Sequence, residues 1–144
     1  MKKWIITIVI ILLLVVLYLI LGGVNEQNLG DNYYYLPEYE AIDVGYPEGA
    51  IIYKSEQRYV ISDVKIHRNV ISVNKNKQFI IAIQQDESVN IKSIQSNVLD
   101  SIYLHYFIIV KQTDMVYGPF NKIEYLKKRD ELKIPHSLKL KDDN

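Results

Sequence analysis

Histidine and carboxylate side chains are the groups in this chain that could carry acid–base or metal chemistry. The three histidines, His67, His105 and His136, lie far apart in the sequence, and none forms an H-x-x-x-H pair. A metal site would therefore require the fold to gather them. Paired acids such as Glu38 and Glu40 lie in polar stretches, without the apolar surroundings that tune a general acid. We predict that the protein is not an enzyme, and a small hydrolase built on gathered histidines remains an alternative.

Other chemistries leave no trace in the sequence. There is no G-x-S-x-G, G-x-G-x-x-G or P-loop motif, so no nucleophile elbow or phosphate-binding loop is indicated. The chain has no cysteine, which excludes disulfides, thiol chemistry and cysteine-type zinc sites. Its formal net charge is zero and it has no basic stripe. We expect no cofactor and no nucleic acid partner.

Tyrosine is unusually frequent. The chain has twelve tyrosines, and seven of them fall between Tyr33 and Tyr59. Aromatic rings with a polar tip suit protein and sugar surfaces. A candidate interaction surface, for another envelope protein or a cell-wall component, consists of Tyr33, Tyr34, Tyr35, Tyr39 and Tyr46. The alternative is that these tyrosines are ordinary strand residues, which pack at one end and meet water at the other.

The same part of the chain is acidic. Residues 25–63 contain eight acids and two bases, a balance of −6. Charge runs are usually solvated faces, and this one could simply complement a neighbouring surface. It also admits a second function, an immunity-type or inhibitor protein that captures a basic toxin or hydrolase.

The N-terminus predicts a membrane location. Trp4–Leu21 is an uninterrupted apolar run of about 27 Å as a helix, which approaches the thickness of a bilayer core. Lys2 and Lys3 precede it and Glu26 is the first charge after it, so the N-terminus is expected in the cytoplasm and the rest outside. Residues 1–24 are predicted to be an uncleaved anchor. A cleaved signal peptide is the alternative, although its apolar region would normally be shorter.

The remaining chain predicts one β-rich extracytoplasmic domain over residues 33–138, with a linker at 25–32 and a tail at 139–144. Short strands are expected at Tyr33–Leu36, Tyr39–Val44 and Ala50–Lys54. The fold class is α+β with β dominant, a mainly antiparallel sheet with one C-terminal helix.

Two hairpins and one helix are the clearest local signals. Val70–Val73 and Gln78–Ile83 flank a polar loop, and Phe79–Ile83 is continuously apolar, which is typical of a central strand covered on both faces. A second hairpin joins Tyr103–Val110 to Met115–Tyr117. Asn121 is expected to cap a helix in which Ile123 and Leu126 pack, with Glu124 completing a capping box.

The C-terminal third resembles a known family. The ordered series runs from Tyr106–Lys111 through Val116–Phe120 and Glu124–Tyr125 to Leu132–Leu138. It resembles an uncharacterised family of small bacterial envelope proteins, often lipoproteins. The resemblance implies an envelope location and no assigned activity. Its specific element is the Tyr117, Gly118, Pro119 corner, where Gly118 can adopt a positive φ and Pro119 fixes the chain as it leaves the strand toward the helix.

Overall fold

The computed structural model describes residues 27–57, 60–86 and 103–141. The predicted membrane anchor, residues 1–24, lies outside these ranges. Within them, no helix is long and apolar enough to cross a membrane.

Strands dominate the described structure and form two four-stranded antiparallel sheets. The first sheet contains β1 (Gln27–Gly30), β2 (Tyr33–Leu36), β3 (Ile51–Lys54) and β4 (Asp63–Ile66). The second contains β5 (Val70–Lys75), β6 (Phe79–Gln85), β7 (Leu104–Val110) and β8 (Met115–Phe120). Each sheet is a meander, because strands that follow one another in the chain are also neighbours in the sheet. The β-dominant antiparallel class is confirmed, with two sheets where one was expected.

The main core lies between the two sheets. Alternate residues of β6 face opposite sides, so Ile80 and Ala82 meet the first sheet while Ile81 and Ile83 face away from it. All of them are buried, and β6 lies between β5 and β7. The prediction of a central strand covered on both faces is therefore confirmed. Burying each isoleucine stabilises the fold by about 1.5–3 kcal/mol.

A helix, α2 (Lys122–Glu131), and the segment after it cover the outer face of the second sheet. Asn121 and Glu124 form the expected capping box, with the Asn121 side chain accepting from the Glu124 amide at 3.0 Å. The predicted packing face is wrong, because Ile123 is 81% exposed and Leu126 is 46% exposed. Tyr125 and Arg129 are buried instead, and their spacing of four residues places them on one face of the helix.

A shorter helix, α1 (Glu38–Asp43), covers the outer face of the first sheet, where a strand over Tyr39–Val44 was predicted. In so short a segment the apolar residues fit both periods, so alternation is a weak signal. Pro37 supplies a φ of −67° at the N-cap, and the helix then buries Ala41 among residues of β2 and β3.

Both predicted domain boundaries need correction. The expected linker, residues 25–32, contains β1, and Leu29 of this strand is 1% exposed because it packs into the core between the sheets. The expected tail, residues 139–144, also begins inside the domain. Leu140 is buried against the second sheet, and the Asn74 side-chain amide donates to the Lys139 carbonyl at 2.8 Å.

The Tyr117–Pro119 corner lies within β8 rather than after it, because the strand continues to Phe120. Gly118 has a φ of +126°, as expected for a glycine that turns the chain. The pairing of β8 with β7 shifts register here, between Tyr106 and Ile108, and the Gly118–Pro119 peptide is cis. The helix α2 begins two residues after Pro119, at the capping residue Asn121.

Candidate functional site

Three connections of the sandwich meet at one end, which we call the loop end. They are the β1–β2 turn at Asp31–Asn32, the β5–β6 loop at 76–78 and the β7–β8 turn at Lys111–Asp114, and Lys111 contacts both of the others through its amide and its side chain. Asp31, Asn32 and Asp114 have positive φ angles, which aspartate and asparagine tolerate better than most residues. The turns can therefore be tight, and polar side chains from both sheets are brought together.

A cleft of about 550 Å³ opens at the loop end. It is lined by Leu29, Gly30, Asp31, Lys75, Asn76, Lys77 and Lys111. We call it the lysine cleft. Its three ammonium groups against one carboxylate give it a net charge of +2. The cleft is shallow and open to solvent.

Lys111 is the most buried charge of the cleft, with 4% of its side chain exposed. Its ammonium donates to the Leu29 carbonyl at 2.5 Å and lies 3.6 Å from Asp31 Oδ2. Burial lowers the pKa of Lys111, the charge of Asp31 opposes this effect, and the nearby charge of Lys75 adds to it. The amine is therefore held in place by β1 in a site that disfavours its positive charge.

Gly30 makes room for this amine. A Cβ atom at this position would lie 2.9 Å from Lys111 Nζ, and the φ of Gly30 is +86°. A larger residue would therefore be strained and would crowd the ammonium. Glycine lets Lys111 reach the backbone of β1.

The other two lysines lie at the end of β5 (Lys75) and in the β5–β6 loop (Lys77). Asn76 Oδ1 accepts hydrogen bonds from the amides of Gln78 and Phe79, each at 2.8 Å, so the loop has a defined shape. Lys75 donates to the Asn28 carbonyl of β1. Lys77, at the tip of the loop, is exposed.

Beside the cleft, a second polar group is centred on Asp114. Its carboxylate accepts a hydrogen bond from the Tyr33 hydroxyl and lies 2.9 Å from Lys65 Nζ and 3.3 Å from Lys54 Nζ. Lys65 also pairs with Asp63 at 2.7 Å. Tyr33, Lys54 and Lys65 belong to the first sheet and Asp114 to a turn of the second, so the group joins the two sheets.

The ionisation of this group follows from its contacts. Burial works against the charge of Asp114, but hydrogen bonds from Tyr33, Lys65 and Lys54 outweigh it and lower its pKa to about 2. Burial and the hydrogen bond to Asp114 raise the pKa of Tyr33. Asp114 is therefore ionised at neutral pH, and the phenol remains a hydrogen-bond donor.

The predicted tyrosine surface is only partly a surface. Tyr33 is fully buried and Tyr34 is 7% exposed, because β2 has one core on each of its faces. This corrects the prediction for these two residues. Tyr35 and Tyr46 are half-buried, and Tyr39, on α1, is 52% exposed.

The histidines are not assembled into a metal site. His67 is exposed, as expected, and so is His136. His105 is half-buried, and its Nε2 lies 3.7 Å from Asp86 Oδ2. In the parts of the chain that the structure describes, no group of three or more histidines and carboxylates could hold a metal ion.

Sequence reasoning missed the lysine cleft. The sequence predicts only a polar hairpin loop between Val73 and Gln78, and only the connection of a second hairpin between Val110 and Met115. The available signal was that Lys75 and Lys111 stand close to the ends of predicted strands, but the sequence does not show which strand ends lie side by side in the fold.

The fold is thus that of a two-sheet antiparallel sandwich. A helix covers each outer face, and a basic cleft lies at one end. The family of proteins of unknown function DUF3997 matches residues 32–144, and the chain belongs to this family. Comparison with curated proteins and with solved structures gave no match.

Proposed function

We propose that the chain is a single-pass membrane protein whose sandwich domain binds a partner on the extracytoplasmic side. The apolar run Trp4–Leu21 and the flanking Lys2 and Lys3 support this location and orientation. The described domain begins at Gln27, a short distance after that run, so it would lie close to the bilayer. The location fits the envelope proteins that the sequence resembles.

The observation that carries the binding role is the lysine cleft. It combines an accessible concave surface, a net positive charge and two lysines held in position by backbone carbonyls. The role proposed is recognition of an envelope protein or cell-wall component, rather than catalysis. Because Tyr33 and Tyr34 of β2 are buried in the core, we place the proposed binding surface at the loop end and not on β2.

The absence of cysteine makes the location testable in intact cells. We would introduce one cysteine at a time, Lys127→Cys on the exposed side of α2 and Lys3→Cys before the apolar run, and add a membrane-impermeant maleimide. The proposal expects labelling of Lys127→Cys in intact cells, and labelling of Lys3→Cys only after lysis. The reverse pattern would exclude an extracytoplasmic domain. Ile108→Cys, at a buried position, is the control for labelling of unfolded chains.

A second candidate function is the capture of a toxin or hydrolase. Its support is the surface of α1 and the residue after it, where Tyr39, Ile42 and Val44 are 52%, 47% and 56% exposed beside the exposed acids Glu38 and Asp43. Exposed apolar residues with acidic neighbours suit a basic partner. Cells that express a hydrolase encoded beside this gene should be protected by the wild type and not by Tyr39→Ser. Equal protection by both would exclude this surface.

A further inference from the structure

We propose that the lysine cleft binds the phosphate group of an organic phosphate. This inference rests on the proposed binding function and specifies its ligand.

The charges of the cleft favour an anion. Lys75 and Lys111 are close enough for one charge to disfavour the other, and Asp31 is the carboxylate that lines the cleft with them. Lys77 adds a third positive charge. An anion between these residues would relieve the repulsion between the lysines. Its attraction would be strongest near Lys111, because this side chain is almost entirely shielded from water.

The types of residue favour phosphate over carboxylate. The cations that line the cleft are all lysines, which bind phosphate as point charges, and no arginine is present to form the two parallel hydrogen bonds that orient a planar carboxylate. A phosphate monoester carries about −1.5 to −2 charges at neutral pH, which matches the net charge of the cleft. The cleft is far larger than one phosphate group, and Gly30 and the backbone of Leu29, whose side chain is buried in the core, line it without adding charge. The ligand is therefore an organic molecule that carries the phosphate.

The cleft needs little rearrangement before it binds. Two of its lysines are tied to carbonyls of β1, and the side chain of Asn76 fixes the loop that carries the third. A preformed site loses less conformational entropy when the ligand enters.

The test uses the full chain in phosphatidylcholine nanodiscs and isothermal titration calorimetry with glycerol phosphate. Glycerol and glycerate are the matched probes without phosphate. The variant is Lys77→Gln, because this exposed side chain can be changed without disturbing the core, and Lys127→Gln on α2 is the control. We expect glycerol phosphate to bind, with an affinity that falls as salt is added. We expect Lys77→Gln to weaken it by about three- to tenfold, and Lys127→Gln to leave it unchanged.

Three results would overturn the inference: no binding of glycerol phosphate, equal binding of glycerate, or equal weakening by the two lysine variants. None of them bears on the location of the domain, which the cysteine labelling tests separately. Nanodiscs that also contain phosphatidic acid distinguish two sources of the phosphate. A lower apparent affinity for glycerol phosphate there supports a lipid headgroup in the cleft, whereas an unchanged affinity supports a soluble ester.

Discussion

The Tyr33 hydroxyl donates a hydrogen bond to the Asp114 carboxylate, and these residues, 81 positions apart in the chain, join the two sheets at the loop end. Lys54 and Lys65 approach the same carboxylate from neighbouring strands of the first sheet. One aspartate in a tight turn therefore holds three side chains of the opposite sheet. The contact also keeps the β7–β8 turn in place, and this turn carries Lys111 of the cleft.

Replacement of Asp114 should weaken the contact between the sheets. Asp114→Asn retains the size of the side chain and removes its charge, so Lys54 and Lys65 both lose their ion pair with this residue, while Lys65 keeps its pair with Asp63. Because the Asp114 side chain is 38% exposed, we expect a loss of only about 1 kcal/mol in the free energy of unfolding. Urea unfolding followed by circular dichroism measures it. Asp130→Asn, at an exposed position on α2, should have almost no effect, and an equal loss in both variants would contradict the prediction.

The same carboxylate predicts a dependence of stability on pH. The pKa of Asp114 is about 2 in the folded protein, below its ordinary value of 3.8. A group with a lowered pKa stabilises the fold above the unfolded value, and this stabilisation is lost as the pH falls through the folded value. Between about pH 4 and pH 2, the urea midpoint should therefore fall more steeply for the wild type than for Asp114→Asn. Parallel curves would show that Asp114 has no such role.

Arg129 should be critical for the C-terminal segment. Its guanidinium is buried and donates to the Tyr125 hydroxyl at 3.1 Å and to the carbonyls of Pro135 and Leu138 at 3.2 and 2.6 Å. Arg129→Met removes the guanidinium hydrogen bonds to the Pro135 and Leu138 carbonyls and to Tyr125, so the free energy of unfolding should fall by roughly 2–4 kcal/mol. Lys127→Met, on the exposed side of the same helix, is the control. Faster proteolysis after residue 133 in Arg129→Met alone would show that the C-terminal segment is the part that loosens. Equal stability of Arg129→Met and Lys127→Met would refute the prediction.

Gly118 should tolerate no side chain. A Cβ there would lie 2.6 Å from the Tyr106 carbonyl and 2.8 Å from the Phe107 ring, on a backbone with a φ of +126°. Gly45 has a φ of +97° but open space around it, so Gly45→Ala measures backbone strain alone. We expect Gly45→Ala to cost about 1 kcal/mol and Gly118→Ala at least twice as much, from strain and overpacking together. Thermal unfolding midpoints compare them, and similar shifts would argue against the close packing of β8.

Local signals predicted the elements that local physics controls. The apolar run Phe79–Ile83 and the Asn121–Glu124 capping box each depend on neighbours in the chain, and both were confirmed. Tyr39–Val44 failed because a six-residue helix and a short strand place apolar side chains similarly. The packing face of α2 failed for another reason. A buried arginine that binds carbonyls of a later segment replaced the aliphatic residues Ile123 and Leu126.

The candidate site could not be predicted in the same way. Gly30 and Lys75 end two strands, β1 and β5, and Lys111 directly follows a third, β7, and only the packing of one sheet on the other brings these strand ends together. The tyrosines are the opposite case, in which part of a predicted surface is buried. Their composition suggested a surface, but Tyr33 and Tyr34 alternate between two cores, a consequence of the helix over the first sheet that the sequence did not reveal.

The contacts of β1 also determine how the domain would respond to force. This edge strand pairs with β2 over only a few residues, so pulling on the chain before Gln27 would peel it from its neighbour one hydrogen bond at a time. Lys75 and Lys111, however, bind the Asn28 and Leu29 carbonyls from the second sheet. Tension at the N-terminal side is thereby shared between the two sheets, and the first strand can detach only after both lysines release it.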